Sequence, residues 1–263
     1  MPLNLPAPDE TPLPRSPLAL VVCQLRFPQS MQAMEPRVML AVHQDLGGEQ
    51  GSYPIREQST SHTINIPVLG VPAQPVVTEQ PGWRFSSVSR DWTVSLATDH
   101  VSLETSAYAG WQDFHDRFNV LLEAIIRHVN PELEERLGLR YVDRLTEPEV
   151  NDPGEWHPYI NAELLGPALH VGLGGAVRSI QQAIDLDTGD DVQCSMRHGF
   201  FEDPSRGGTL TYLLDYDIYR QRLVGLNCGD VMVALDRFHT VALQLFQTSI
   251  TDEMFESMKV PRG

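Results

Sequence analysis

The pattern of hydrophobic and polar positions at the start of the chain predicts one strand followed by one helix. The apolar run Leu18–Phe27 reads as a strand, and Pro28 closes it. Pro36 suits the first turn of a helix that continues to about Asp45. The glycine pair after Leu46 is typical of a helix end, where the backbone turns away.

A three-stranded meander and a long helix follow. Polar turns separate three short segments with apolar residues at alternate positions, which predict the strands Trp83–Ser89, Trp92–Thr98 and Val101–Tyr108. From Trp111 to Val129 the apolar residues recur every three or four positions, which predicts an amphipathic helix. Asn130-Pro131 ends it, and Leu137–Leu145 is a further predicted strand.

The second part of the chain repeats this order of elements. Three more strands are predicted, over Val177–Asp187, Val192–Glu202 and Thr209–Arg220. A second long helix covers Val231–Ile250, and Thr251 is placed to cap a short final helix. The fold class is therefore α+β, with two similar antiparallel meander-plus-long-helix units that could be joined into one sheet.

Proline and glycine mark the expected domain boundaries. Residues 1–17 carry six prolines and are predicted to be a flexible segment. Residues 18–146 would form the N-terminal α+β unit, and residues 159–260 the C-terminal one. The linker between them, 147–158, is rich in proline and acidic residues. Prolines also predict a long loop over residues 67–82.

The excess of acidic over basic side chains disfavours some classes of binding partner and favours others. The 263 residues include 19 basic and 35 acidic side chains, a formal net charge of −16. Nucleic-acid backbones are bound by Lys and Arg, so direct nucleic-acid binding is disfavoured, as is binding to an anionic membrane. A basic protein partner fits this charge because opposite fields speed encounter. The simpler interpretation is that the charge keeps the surface soluble.

The sequence indicates a cytoplasmic protein. Cys23, Cys194 and Cys228 form no CxxC pair and are expected to be free thiols in a reducing compartment. The N-terminus lacks the basic start and apolar run of a signal peptide. No stretch approaches the roughly 18 apolar residues of a membrane-spanning helix.

Three segments resemble a known family. These are PLALVVCQLRFP at 17–28, GLRYVDR at 138–144 with Trp156 and Tyr159 after it, and LDRFHTVALQLFQTSITDEMFESM at 235–258. They are similar to a sporadically distributed family of bacterial proteins of about this length, which is defined by sequence and has no assigned function. The resemblance extends from about residue 16 to residue 260. Its patchy distribution implies accessory genes, such as defence or toxin–antitoxin modules.

No catalytic set, metal site or cofactor motif is present, and the candidate binding residues are few. Arg140 and Arg144 lie in a strand at the junction of the halves, where they would form ion pairs or bind an anion or a partner. Asp215 and Asp217 share one face of another strand. That face is either solvated, or its two carboxylates bind magnesium or act in hydrolysis. His239, three residues after Asp236, is expected to flank the apolar stripe of the second helix.

Two functions are therefore predicted. The first is a non-enzymatic interaction or accessory subunit, with the 67–82 loop and exposed aromatic residues Trp83 and Trp156 as contact points. Pairing through sheet edges would allow a homodimer. The alternative is a small-molecule or nucleotide-binding protein, with hydrolytic activity left open and a pocket between the two halves. Convergence of Arg140, Arg144, Asp215 and Asp217 in one cleft would favour the alternative.

Overall fold

The computed structural model describes residues 3–65, 76–203 and 207–260, which form a mixed helix-and-strand fold around one antiparallel sheet. Within these residues the sheet has nine strands. Their bounds are β1 Leu18–Arg26, β2 Ile55–Asn65, β3 Val76–Ser86, β4 Trp92–Ala97, β5 His100–Thr105, β6 Leu133–Leu145, β7 Gln182–Gly189, β8 Val192–Asp203 and β9 Thr209–Gly225.

The strand order joins both halves of the chain into that sheet. The order is β2-β3-β4-β5-β1-β6-β9-β8-β7, and each neighbouring pair is antiparallel. Two meanders, β3-β4-β5 and β7-β8-β9, lie on either side of the central pair β1 and β6. In that pair Cys23 is opposite Leu139. Strand β1 pairs with the last strand of the first meander, β5, and β6 pairs with the last strand of the second meander, β9.

The helices cover one face of the sheet, called here the helix face. Their bounds are α1 Pro36–Asp45, α2 Trp111–His128, α3 Ala162–Leu165, α4 Cys228–Ser249 and α5 Asp252–Met258. Alternate residues of the strands point at them, so that Val21, Cys23 and Leu25 of β1 are all buried. The apolar stripe of α2 packs onto this layer, with Phe114 and Phe118 fully buried. One hydrophobic core thus extends across both halves.

Local signals explain where these helices begin. Pro36 is the first residue of α1, where its missing N–H leaves no hydrogen bond unmade. Asn227 caps α4 by accepting a hydrogen bond from the backbone N–H of Asp230. Thr251 caps α5 in the same way, accepting from the N–H of Met254, so that predicted cap is confirmed. None of the helices in the described residues is long and apolar enough to cross a membrane.

The loop predicted over 67–82 is wrong from Val76 onward, where β3 begins. Residues 67–75 lie outside the described residues. Pro81 is accommodated because β3 pairs with β4 only from Gly82 to Ser86, and among the described residues Pro81 pairs only with Thr60 of β2. Proline has no backbone N–H to donate, so it fits a strand position where a neighbouring strand is absent on one side.

Candidate functional site

The four charged residues predicted as binding candidates lie on the face of the sheet opposite the helices. Arg140 donates two hydrogen bonds to Asp215, at 2.6 and 2.7 Å, and this bonding raises the pKa of Arg140. Arg136 donates to Asp217 at 2.8 Å. Arg144 lies 4.0 Å from Asp203. The candidates are neighbours on this face, and each is engaged in an ion pair between strands.

The two tryptophans proposed as exposed contacts are both packed against the core. Trp156 has no accessible surface, so its predicted exposure is wrong. It sits in a short helical turn started by the Asp152 capping box, and its ring meets Tyr212 edge-to-face at 5.5 Å. Trp83, on β3, is half-buried against the same hydrophobic core. Long-range packing, which the local sequence does not reveal, buries these rings.

A cleft of about 500 Å³ lies on the helix face between the two halves of the chain, and it is called here the Asp143 cleft. Strands β6 and β9 form its floor, α4 forms one wall, and the turn leading into α2 and the N-terminal segment form the others. The residues on which its properties depend are Asp9, Glu10, Tyr108, Trp111, Tyr141, Asp143, Tyr216, Asp236, His239, Thr240 and Phe246.

The N-terminal segment is held against α4 where it borders the cleft. The side-chain amide of Gln247 donates to the carbonyl of Asp9 at 2.7 Å, and the N–H of Asp9 donates back at 3.0 Å. Lys259 donates to the Asp9 carboxylate at 2.8 Å, which holds the pKa of Asp9 below its usual range. Gln244 donates to the carbonyl of Pro6. These bonds place Asp9 and the residues after it along one side of the opening.

Aromatic and polar side chains form a connected group at one end of the cleft. The hydroxyl of Tyr141 lies 2.9 Å from Nδ1 of His239. The indole of Trp111 stacks on the imidazole at 4.4 Å with an 8° tilt, and its N–H donates to Asp236 at 2.8 Å. Burial lowers the pKa of His239 to about 4, so the ring is uncharged at neutral pH.

Asp143 is the least satisfied polar group of the cleft. Asp143 is only 5% exposed. No described residue hydrogen-bonds to its carboxyl group or forms an ion pair with it. Burial, and then repulsion from Asp215, raises the pKa of Asp143 to about 8. The hydroxyl of Tyr108 is also buried, next to Tyr141. Asp143 is therefore the group at this cavity that most needs a partner.

This arrangement suits recognition of an organic molecule through one carboxyl group and several rings. As an acid, Asp143 can donate a hydrogen bond, and as a carboxylate it can pair with a cation. Across the described residues, no group of three or more His, Cys, Asp or Glu side chains is placed to hold a metal ion.

The sequence itself carries a signal for Asp143. Leu137, Leu139 and Tyr141 alternate along β6, and Asp143 continues the same apolar series before Leu145. An acidic residue on the apolar face of a strand is unusual, because burying a carboxyl group without a partner is costly. The sequence predicts that Asp236 and His239 flank the apolar stripe of α4, but their contacts with Trp111 and Tyr141 depend on long-range packing.

Comparison with known proteins adds no family to this description. A scan against protein-family models found no match, and a search of curated proteins found none. The residues of the cleft are therefore the basis for the functional proposal.

Proposed function

We propose that the protein binds a small organic molecule in the Asp143 cleft. The proposal depends most on the buried carboxyl group of Asp143, which borders the cavity and has no partner among the described residues. Such a group destabilises the folded protein unless something pairs with it. A ligand that supplies the missing partner accounts for its position.

The dimensions and lining of the cleft support this proposal. Small-molecule sites are commonly concave pockets of roughly 300–1,000 Å³, mostly apolar, with a few polar groups that orient the ligand. The Asp143 cleft has a volume of about 500 Å³ and a lining rich in aromatic rings. Its shifted groups, Asp143 and His239, also fit a ligand site, since perturbed pKa values cluster at such sites.

The two halves are proposed to be similar units that together form this site. Strand β1 pairs with the last strand of the first meander and β6 with the last strand of the second, and each meander precedes a long helix. The cleft lies where the units meet: Tyr108 and Trp111 come from the first, and Tyr216 and His239 from the second.

An interaction role remains a second proposal, supported by the end of the sheet. Strand β7 is the last in the strand order, so its outer edge has no partner strand within the described part of the chain. A free edge can accept a strand from another chain or from a second copy. The net charge of −16 favours a basic protein partner in the cytoplasm.

The ligand proposal is tested by screening a library of small organic fragments, with binding detected by ligand-observed NMR. The wild-type protein is compared with Thr240→Trp, which places an indole in the cleft wall. Val233→Trp is the matched control, because Val233 lies on the same helix and is 71% exposed. We expect fragments that bind the wild type and Val233→Trp but not Thr240→Trp. Absence of any binding fragment, or equal binding by Thr240→Trp, would contradict the proposal.

A further inference from the structure

The ionisable side chains that carry charge at the border of the Asp143 cleft are all acidic. Four carboxyl groups line it, and no Lys or Arg among the described residues does. The four belong to Asp9, Glu10, Asp143 and Asp236. The imidazole of His239 adds no positive charge at neutral pH, because burial lowers its pKa. An anionic ligand such as a nucleotide would therefore meet repulsion, without the Arg or Lys that phosphate recognition uses.

Two of these carboxyl groups already have partners. Asp9 is paired with Lys259 at 2.8 Å, and Asp236 accepts the indole N–H of Trp111 at 2.8 Å. Asp143 has no such partner and is the most deeply buried of the four. It is therefore the group that a ligand can satisfy, and it lies on the floor of the cleft rather than at its rim.

The aromatic lining adds a second preference for positive charge. Rings of Tyr108, Trp111, Tyr141, Tyr216 and Phe246 border the cavity. An ammonium group within about 6 Å of such a ring is attracted by the negative face of the ring. A buried carboxyl group surrounded by aromatic rings is thus suited to a cation with an apolar body.

We propose that the ligand of the Asp143 cleft carries a protonated amine, and that Asp143 is its counter-ion. This inference rests on the proposed small-molecule function and specifies the chemical class of the ligand. The amine nitrogen lies against the carboxyl group, and the apolar part of the ligand lies among the rings.

Binding of an ammonium group then releases a proton from Asp143. In the empty cleft the carboxyl group keeps its proton at neutral pH, since its pKa is about 8. An ammonium ion favours the carboxylate, so the proton leaves to the buffer while the amine keeps its own. Leu18, the cross-strand neighbour on β1, does not titrate. Tyr141 is the titratable neighbour on β6 itself. The titratable groups around Asp143 from the other elements are Asp9, Glu10, Tyr108, Asp215, Tyr216, Asp236 and His239.

Titration calorimetry with matched ligands tests the inference. Phenethylammonium and further primary arylalkylammonium ions are compared with the alcohols of the same shape, such as 2-phenylethanol. We expect the amines to bind the wild type about tenfold more tightly than the alcohols. Titrations at pH 6.5 in phosphate and in ACES, which differ in ionisation enthalpy, should report release of about one proton per amine bound. Both readouts use the wild-type protein and do not depend on a variant that folds.

Asp143→Asn supplies the third readout, and exposed Asp191→Asn is the charge-matched control. Asp143→Asn should lose about tenfold in amine affinity with little change for the alcohols, and Asp191→Asn should bind as the wild type does. Alcohols that bind as tightly as amines, with no proton release, would overturn the amine assignment and leave the small-molecule function standing. If neither class binds and the fragment screen is also empty, both proposals fail.

Discussion

The hydroxyl of Tyr141 lies 2.9 Å from Nδ1 of His239, and this hydrogen bond links the central strand β6 to helix α4. Tyr141 belongs to the first predicted half of the chain and His239 to the second. Trp111, at the start of α2, stacks on the same imidazole. The wall of the Asp143 cleft therefore depends on packing between the two halves.

Removing this hydrogen bond should weaken the fold measurably. Tyr141→Phe keeps the ring but leaves Nδ1 of His239 without its partner. We expect a loss of about 1 kcal/mol in the free energy of unfolding, measured with urea at pH 7. Tyr219→Phe is the matched control, because no described residue hydrogen-bonds to the hydroxyl of Tyr219, which lies under Arg136 on the opposite face. Equal losses in the two variants would show that the bond to His239 contributes nothing specific.

Asp143 should make the stability of the ligand-free protein depend on pH. Its folded pKa, about 8, lies above the value of an unfolded aspartate, near 4. The folded state therefore holds a proton that the unfolded state releases, so the stability present below about pH 4 is lost as the pH rises towards 8. The slope is roughly 1.4 kcal/mol for each pH unit inside this window.

Replacement of Asp143 by Asn removes this titration. We expect Asp143→Asn to be more stable than the wild type in urea at pH 8, and the difference to shrink steadily as the pH falls to 5. Asp191→Asn, in the exposed turn between β7 and β8, should follow the wild type at both values. If the difference in unfolding free energy between Asp143→Asn and the wild type were the same at pH 5 and pH 8, the raised pKa of Asp143 would be contradicted.

The Arg140–Asp215 pair is expected to contribute to stability and not to ligand binding. The Asp215 side chain is 7% exposed, so Arg140→Gln leaves a nearly buried carboxylate without its two hydrogen bonds. We expect a loss of about 2–3 kcal/mol, measured by urea unfolding, and unchanged affinity for fragments that bind the cleft.

An exposed ion pair provides the comparison for Arg140→Gln. Arg37 and Glu35 are 2.6 Å apart, but their side chains are 81% and 43% exposed. Arg37→Gln should cost about 0–1 kcal/mol, because solvent screens the pair. If Arg140→Gln weakened ligand binding tenfold, the polar face would belong to the functional site after all.

Much of the fold could be predicted from local patterns. The period of apolar residues predicted the α2 and α4 helices, and Pro36 marked the first residue of α1. The strand order could not be read in the same way, because the pairing of β1 with β6 joins segments more than a hundred residues apart. Local sequence carries no signal for such a partner choice.

The binding candidates predicted from the sequence lie on the face of the sheet opposite the Asp143 cleft, for a related reason. Arg140 and Tyr141 are consecutive residues of β6, so they point to opposite faces of the sheet. The charge of Arg140 suggests a binding role, but the side chain forms an ion pair with Asp215. The cleft lies on the face of Tyr141, and it exists only through the packing of α4 and the N-terminal segment on that face.

The carboxyl carbon of Asp143, followed by ¹³C NMR in a pH titration, tests the central claim most directly. Asp143→Asn identifies the signal. In the ligand-free protein we predict a midpoint near pH 8, as expected for a buried acid without a partner. With a saturating amine the midpoint should fall below its ligand-free value. A midpoint near 4 in the ligand-free protein would show that the carboxylate is already satisfied, and would remove the reason for placing a ligand beside it.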